Sequence, residues 1–228
     1  MKTVHADSLA ATLDAVNDAF FYGRPLSRRE REQAAGCLAR RQGLPGSYHD
    51  MFAPTEKDYT MNVKTFTGEP VRSGAGMRCK LSFEACRALI LLDVQSSTVQ
   101  RALERATRSA LAALACERAR GSQIGRYCCG SCSCAMWRMM ATGQVESAPQ
   151  VLAGAVDILK LRRDGKGRWK GHPFFYALLA LSEMDPAVAR EELRYAAPAC
   201  QRLVERSSPG DKFARRRRVL AERVLQQA

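Results

Sequence analysis

Apolar residues recur along this chain at spacings of three and four, which is the period of one face of a helix. The first such stretch, residues 7–23, places Leu9, Leu13, Val16 and Phe20 on one stripe and ends at a glycine. Strict alternation of apolar and polar residues, which is typical of a half-buried strand, is almost absent. The pattern therefore predicts an all-α protein.

Local sequence signals mark where some of these helices begin. Ser27 precedes a helical stretch and Glu30 follows three residues later, which is the spacing of a capping box. Asp185 stands where it can cap a helix whose first residue is Pro186. We expect one all-helical domain over 1–228, with an N-terminal helical hairpin over 1–43 and stacked antiparallel helix pairs over 81–228.

Residues 44–80 break the helical pattern. The segment is rich in glycine and proline and contains GSYHDMFAPTEKDY and FTGEPVRSGAG. A long irregular run is unusual in a compact domain unless it covers a functional region. We expect either one long irregular covering loop or short strands that the pattern does not reveal, and His49 is the candidate binding residue in this segment.

Two stretches of the C-terminal half share a pattern. The triplet GRY at 125–127 aligns with GRW at 167–169, 42 residues further on, and a short, very apolar helix follows each triplet. A fainter copy lies upstream, around Cys79. Periods of about 40 to 50 residues are typical of stacked helix pairs. We therefore expect residues 125–142 and 167–184 to be equivalent units, each a glycine-rich corner followed by a buried helix.

The segment LKLRRDGKGRWKGHPFFYALLALSEMD, residues 159–185, resembles the repeats of the α/α toroids of the prenyltransferase and terpene-cyclase type. In those proteins an Asp-Gly-x-x-Trp-like turn joins two helices and a helix similar to YALLAL follows. The resemblance covers this unit and one or two degenerate ones, well under half of the chain, and it implies helix pairs that curve into a partial toroid. The Asp-rich acid motif of the cyclases and the zinc-binding Asp/Cys/His set of the prenyltransferases are missing, so the resemblance implies architecture rather than activity.

Four of the nine cysteines fall within the sequence CCGSCSC, at Cys128, Cys129, Cys132 and Cys134. Cys129 and Cys132 form a CxxC motif at the point where the corner turns into a helix, and free backbone N–H groups at a helix start favour a thiolate. Cys128 and Cys132 share one helix face because they are four residues apart. Cys134 is turned by about 200° from Cys132, and we expect it in the core beside Trp137.

Three interpretations of this cluster stay open. The thiols can be structural core fillers. They can hold a metal ion, for which zinc is the candidate cofactor and Cys128, Cys129, Cys132 and His172 are the candidate ligands. Alternatively, Cys129 and Cys132 can be the catalytic pair of a thiol oxidoreductase. All-helical proteins of the alkylhydroperoxidase type place a CxxC motif on a helix in this way, but their nearby histidine has no counterpart here.

Composition and charge argue against some classes of function and leave others open. With 46% apolar residues, a chain of 228 residues can bury a substantial core. No apolar run reaches about 18 residues and the N-terminus lacks the pattern of a signal peptide, so we expect a cytoplasmic protein without a membrane span. The net charge of +13 is compatible with nucleic-acid binding. The one dense run of positively charged residues, RRRR at 215–218, lies inside a predicted helix. This position favours a solvated basic face over nucleic-acid binding.

These observations favour a helical-repeat binding or scaffold protein whose ligand or partner site lies at the glycine- and cysteine-rich corners. The candidate binding residues are Tyr127, Trp169, His172 and His49, and the partner is a protein or small molecule whose identity the sequence does not specify. The alternatives are a CxxC thiol oxidoreductase or metal-binding enzyme, a toroid-type enzyme acting on a hydrophobic substrate, and a nucleic-acid-binding helical array. Whether the protein is an enzyme stays open at this stage.

Overall fold

The computed structural model describes residues 2–206 and 210–228. Within them, ten α-helices account for 64% of the residues and there is no β-strand, which confirms the all-helical prediction. None of these helices combines the length and the apolarity needed to cross a bilayer. The helices are α1 (Leu9–Phe21), α2 (Arg28–Ala39), α3 (Glu56–Thr60), α4 (Gly74–Leu92), α5 (Ser97–Ala119), α6 (Gly130–Met140), α7 (Ala148–Arg162), α8 (Phe174–Ser182), α9 (Pro186–Arg206) and α10 (Lys212–Gln227).

The helices pack as two compact units. The first unit comprises the described part of Met1–Phe66 together with Pro70–Arg120, and it contains α1 to α5. The second comprises Thr67–Glu69 together with the described part of Gly121–Ala228, and it contains α6 to α10. The packing is consistent with stacked helices, while the toroidal curvature and the single-domain organisation stay predictions.

In the first unit, α4 packs against α1, α2 and α5. The helix is buried over most of its circumference, and Phe83, Cys86 and Leu89 are among its buried apolar residues. Burial raises the pKa of the Cys86 thiol to about 12, so this cysteine stays protonated and acts as a small apolar core residue.

Two helix starts that the sequence predicts are present in the structure. The Ser27 hydroxyl accepts a hydrogen bond from the backbone N–H of Glu30, and the Glu30 carboxylate accepts one from the backbone N–H of Ser27, so the capping box is complete. At the start of α9, the Asp185 carboxylate accepts a hydrogen bond of 2.7 Å from the backbone N–H of Ala187, directly after Pro186.

The segment predicted to be irregular over 44–80 is partly helical. It contains the short helix α3, and α4 already begins at Gly74. The Ser73 hydroxyl caps α4 by accepting a hydrogen bond of 3.1 Å from the backbone N–H of Gly76. The two glycines of this first turn have low helix propensity, which is why the sequence pattern places the helix start too late.

The remainder of this segment is held to α1 by the buried carboxylate of Asp58. It accepts hydrogen bonds from the backbone N–H groups of Leu9 at 3.0 Å, Ala10 at 3.1 Å and Thr55 at 2.8 Å. It also accepts one of 2.6 Å from the Ser8 hydroxyl. One carboxylate therefore caps the starts of α1 and α3 together, and it ties residues far apart in the sequence.

In the second unit, two short helices are buried between longer ones. The helix α6 packs against α7 and α8, α8 packs against α9 and α10, and α7 packs against α9. Met136 and Met139 of α6 are fully buried, as are Leu178 and Leu181 of α8. This burial follows from the composition of the short helices, which are apolar on most sides.

The two aligned corners each begin with a glycine in the left-handed region that lies against the following long helix. Gly125 has a φ of +85°, and a Cβ on it would lie 2.3 Å from the backbone nitrogen of Ala155 in α7. Gly167 has a φ of +82°, and a Cβ on it would lie 3.2 Å from the carbonyl oxygen of Tyr195 in α9. The superposition of 125–142 on 167–184 as whole units stays a prediction.

We predict that Asp58→Ala lowers the free energy of unfolding of the first unit by about 3 kcal/mol or more. The change leaves several backbone N–H groups without their acceptor, and each buried unsatisfied donor costs about 1–3 kcal/mol. Urea unfolding, monitored by hydrogen exchange of the α1 amides, measures the loss of unfolding free energy. Glu56→Ala, an exposed carboxylate in the same short helix, is the control and should stay within about 0.5 kcal/mol of the parent. Equal stability of the two variants would contradict the capping role of Asp58.

Candidate thiol site

The cysteine corner comprises Cys128, Cys129 and Cys132 at the start of α6. Cys129 is the N-cap, with extended backbone, and its sulfur accepts a hydrogen bond from the backbone N–H of Cys132 at a distance of 3.5 Å. The Ser133 hydroxyl closes the corner, since it donates to the Cys129 carbonyl at 2.9 Å and accepts from the backbone N–H of Tyr127 at 2.9 Å. The local hydrogen bonds therefore fix the position of Cys129 on the helix start.

The three thiols of the corner differ in exposure. Cys128 and Cys129 are exposed, whereas Cys132 is only 1% exposed. The sulfur atoms of Cys128 and Cys132 lie within 4.8 Å of one another. Cys129 is thus an exposed thiol at the helix start, and Cys132 is a buried thiol three residues later. This arrangement allows the first sulfur to react with a partner and the second to displace that partner afterwards.

Cys134 does not belong to this reactive set. It is fully buried, and burial, with a smaller contribution from the charge of Glu69, raises the pKa of its thiol well above the ordinary value. Trp137, one helical turn further along α6, is also fully buried. The prediction that Cys134 is a core residue beside Trp137 is confirmed.

His172 lies next to the corner and stacks on a tryptophan. Its ring centroid is 5.5 Å from that of Trp137, with 20° between the planes, and the Trp137 indole N–H donates to the Gly125 carbonyl at 2.6 Å. Burial lowers the pKa of His172, the nearby charges of Arg162 and Arg126 lower it further, and only the Lys170 carbonyl acts in the opposite direction. The imidazole is therefore neutral at neutral pH.

The backbone of α6 approaches the turn before α8 closely enough to exclude any side chain at residue 130. A Cβ on Gly130 would lie 2.1 Å from the carbonyl oxygen of Gly171 and 2.9 Å from Cδ2 of His172. This contact places the start of α6 directly against the residues that carry His172. Gly130, which follows Cys129 in the sequence, is thereby in contact with His172, the histidine predicted as a metal ligand.

The predicted metal ligands come together only in part. Of Cys128, Cys129, Cys132 and His172, the structure brings the sulfurs of Cys128 and Cys132 within 4.8 Å. Within residues 2–206 and 210–228, neither Cys129 nor His172 completes a group of three ligand atoms at that distance with this pair. Closed zinc sites use four ligands, so the four-ligand zinc centre stays a prediction.

The aromatic residues predicted for binding lie in the core. Tyr127 is 1% exposed and Trp169 is 3% exposed. The indole N–H of Trp169 donates to the buried Glu192 carboxylate at 2.7 Å, and its ring stacks on Phe174 at a centroid distance of 5.9 Å. Direct ligand contact with either ring would require the corner to open, and that role stays a prediction.

His49 is an exposed residue of the first unit, in the turn between α2 and α3. It has a φ of +46°, and its ring contacts the edge of Tyr48 at a centroid distance of 4.6 Å. The structure therefore gives His49 a local contact with its neighbour, and its convergence with the cysteine corner stays a prediction.

Two ion pairs of the second unit, each with one buried partner, were not identified from the sequence. Arg138, only 2% exposed in α6, forms two hydrogen bonds with Glu183, at 2.8 Å and 2.9 Å. The fully buried Glu192 accepts a hydrogen bond of 2.6 Å from Arg163. An arginine inside the very apolar run AMWRMM is the sequence signal for the first pair, because such a residue needs a buried partner.

The arginine block at 215–218 is partly a packing element. Arg216 is buried, as expected for a run that points all round a helix axis. The Arg217 guanidinium donates to the Thr67 carbonyl at 2.6 Å and lies over the Phe175 ring at 4.7 Å. These contacts engage part of the block inside the second unit, so it does not form one continuous open basic patch.

Comparison with known proteins gives no assignment, because the chain matches no protein-family model, no curated protein and no solved structure.

We predict that the stability of the second unit falls as the pH decreases below about 6.5, the ordinary pKa of histidine. The His172 pKa is lowered in the folded state, so below this pH the unfolded chain binds the proton more readily than the folded chain. His172→Gln should therefore have a shallower loss of stability than the parent between about pH 8 and about pH 5. The midpoint of urea unfolding at each pH measures this loss of stability. Identical dependence of the midpoint on pH in the two proteins would contradict the burial of the neutral imidazole.

Proposed function

We propose that this chain is a helical binding protein that engages its partner through the cysteine corner, by reversible dithiol–disulfide exchange. The observation that carries the proposal is the hydrogen bond of 3.5 Å from the backbone N–H of Cys132 to the exposed sulfur of Cys129. The first turn of α6 directs this donor and the positive end of the helix dipole at the Cys129 sulfur. Cys129 is therefore the thiol best placed to attack a disulfide of the partner.

The exchange proceeds in two balanced steps. The Cys129 thiolate attacks one sulfur of the partner's disulfide, so that a mixed disulfide forms and the other partner sulfur leaves as a thiolate. The Cys132 thiol then loses its proton to water and attacks the Cys129 sulfur, which releases the second partner thiolate. The partner gains two electrons, the protein becomes the Cys129–Cys132 disulfide, and an external thiol reductant restores the dithiol.

The difference in burial between the two thiols supports this division of roles. The exposed Cys129 is accessible to a large partner, whereas the buried Cys132 is shielded from a large partner and can react with a sulfur at the corner itself. The neutral His172 adds no positive charge at the corner. Its stacking on Trp137 instead fixes the turn against which α6 begins.

A second candidate function is the binding of a soft metal ion by Cys128 and Cys132. Their sulfurs lie within 4.8 Å of one another. A thiolate–metal bond of about 2.3 Å permits sulfur–sulfur separations up to about 4.6 Å when the two ligands are opposed. Thiolates select soft ions such as Cu(I) or Zn²⁺. The toroid-type enzyme and the nucleic-acid-binding array have no such supporting geometry and stay predictions.

We predict that Cys132→Ser traps a mixed disulfide on Cys129 when the protein is treated with oxidised glutathione, because the resolving thiol has been removed. The parent should instead form an internal Cys129–Cys132 disulfide, and Cys129→Ser should form neither product. Peptide mass spectrometry identifies each bond. Cys116→Ser is the matched control, since Cys116 is an exposed thiol of α5 outside the corner, and it should behave as the parent does.

Two outcomes would contradict the exchange mechanism. A Cys128–Cys132 disulfide in the parent would transfer the attacking role to Cys128. Stoichiometric copper or zinc in the purified parent, lost in Cys128→Ser and accompanied by no disulfide formation, would support metal binding in its place. Elemental analysis of the same preparations separates these results.

A further inference from the structure

The first unit contains a cavity that the thiol chemistry does not use. Its volume is about 660 Å³, and it lies between α2 and the turn that joins α4 to α5. Small-molecule sites in proteins commonly have volumes of about 300–1,000 Å³. The apolar part of its wall consists of Leu26, Leu92, Val94 and Val99.

The polar part of the wall carries two arginines without a carboxylate partner. Arg31 is held in place because its guanidinium donates to the Leu91 carbonyl at 2.9 Å. Arg40 follows directly after the last turn of α2, and in the part of the chain that the structure describes neither Arg31 nor Arg40 forms an ion pair. The third arginine of the wall, Arg28, is neutralised by Glu32 at 2.8 Å.

The start of α5 adds a further positive element to the same wall. Ser96 is the N-cap of this 23-residue helix but makes no side-chain capping hydrogen bond, and both Ser96 and Thr98 line the cavity. Uncapped N–H groups at a helix start carry partial positive charge and bind anions. The carboxylate of Asp93, also in the wall, accepts a hydrogen bond of 2.9 Å from Gln95.

We infer that this cavity binds a small organic anion with a carboxylate or phosphate head and an apolar body. The head interacts with Arg31, Arg40 and the first turn of α5, and the body packs on the apolar wall. Charge-assisted hydrogen bonds from arginine orient the head, and the apolar surface supplies the remaining affinity. The site is independent of the cysteine corner, because every residue of its lining belongs to the first unit.

Titration of the full chain with octanoate, octyl phosphate and octanol tests the inference, with binding followed by calorimetry and by backbone amide shifts at Thr98. The anions should bind saturably and at least about tenfold more tightly than octanol, since one lost charge-assisted hydrogen bond has about that effect. The tighter of the two anions identifies the preferred head group.

Charge reversal on α2 then locates the site. Arg40→Glu should weaken binding of the tighter anion by about tenfold or more. Arg29→Glu makes the same change of net charge on an exposed position of α2 outside the lining, and it should leave the affinity within about twofold. Any of three results would overturn the inference: no saturable binding, equal affinity for the anions and for octanol, or equal effects of Arg40→Glu and Arg29→Glu on the affinity.

Discussion

The geometry of the cysteine corner depends on one close approach of backbone to backbone. The start of α6 lies so near the turn at Gly171 that a side chain at residue 130 would overlap a carbonyl oxygen. Because glycine is the one residue that fits there, α6 can begin against this turn with Cys129 at the N-cap, where its sulfur accepts a hydrogen bond from the backbone N–H of Cys132. Any residue with a Cβ would move the helix start away from the turn and change the exposure of the thiols.

The same principle fixes the opposite side of the corner. Gly125 lies against the backbone of α7 near Ala155, and a Cβ on Gly154 of α7 would lie 2.4 Å from the carbonyl oxygen of Ile124. The two glycines thus allow the backbone of α7 to contact the backbone of the loop before α6. The indole N–H of Trp137 donates a hydrogen bond to the Gly125 carbonyl in this loop. Both sides of the corner are therefore packed closely against neighbouring backbone.

Helical period and capping chemistry were sufficient to predict the helical class, the capping box at Ser27 and the burial of Cys134, because these depend on near neighbours in the sequence. The start of α4 was placed too late because its two first-turn glycines resemble a loop. The part of the Asp58 network that reaches α1 could not be predicted, since those donors lie about 50 residues away in the sequence and nothing in the neighbourhood of Asp58 indicates burial. The close approach of Gly130 to Gly171 is likewise a tertiary contact that no local pattern encodes.

The most direct test of this account is the rate at which the Cys129–Cys132 disulfide forms in Gly130→Ala, measured by mass spectrometry of quenched samples under oxidised glutathione. The account predicts slower formation and a lower melting temperature than in the parent, because the added methyl group displaces the start of α6. Gly36→Ala is the matched control, since its Cβ would lie 3.6 Å from the nearest side-chain atom, an ordinary contact. It should oxidise at the rate of the parent and, because alanine has the higher helix propensity, melt at or above the parent's temperature. A Gly130→Ala protein that melts and oxidises like the parent would contradict the claim that this backbone contact positions the thiols.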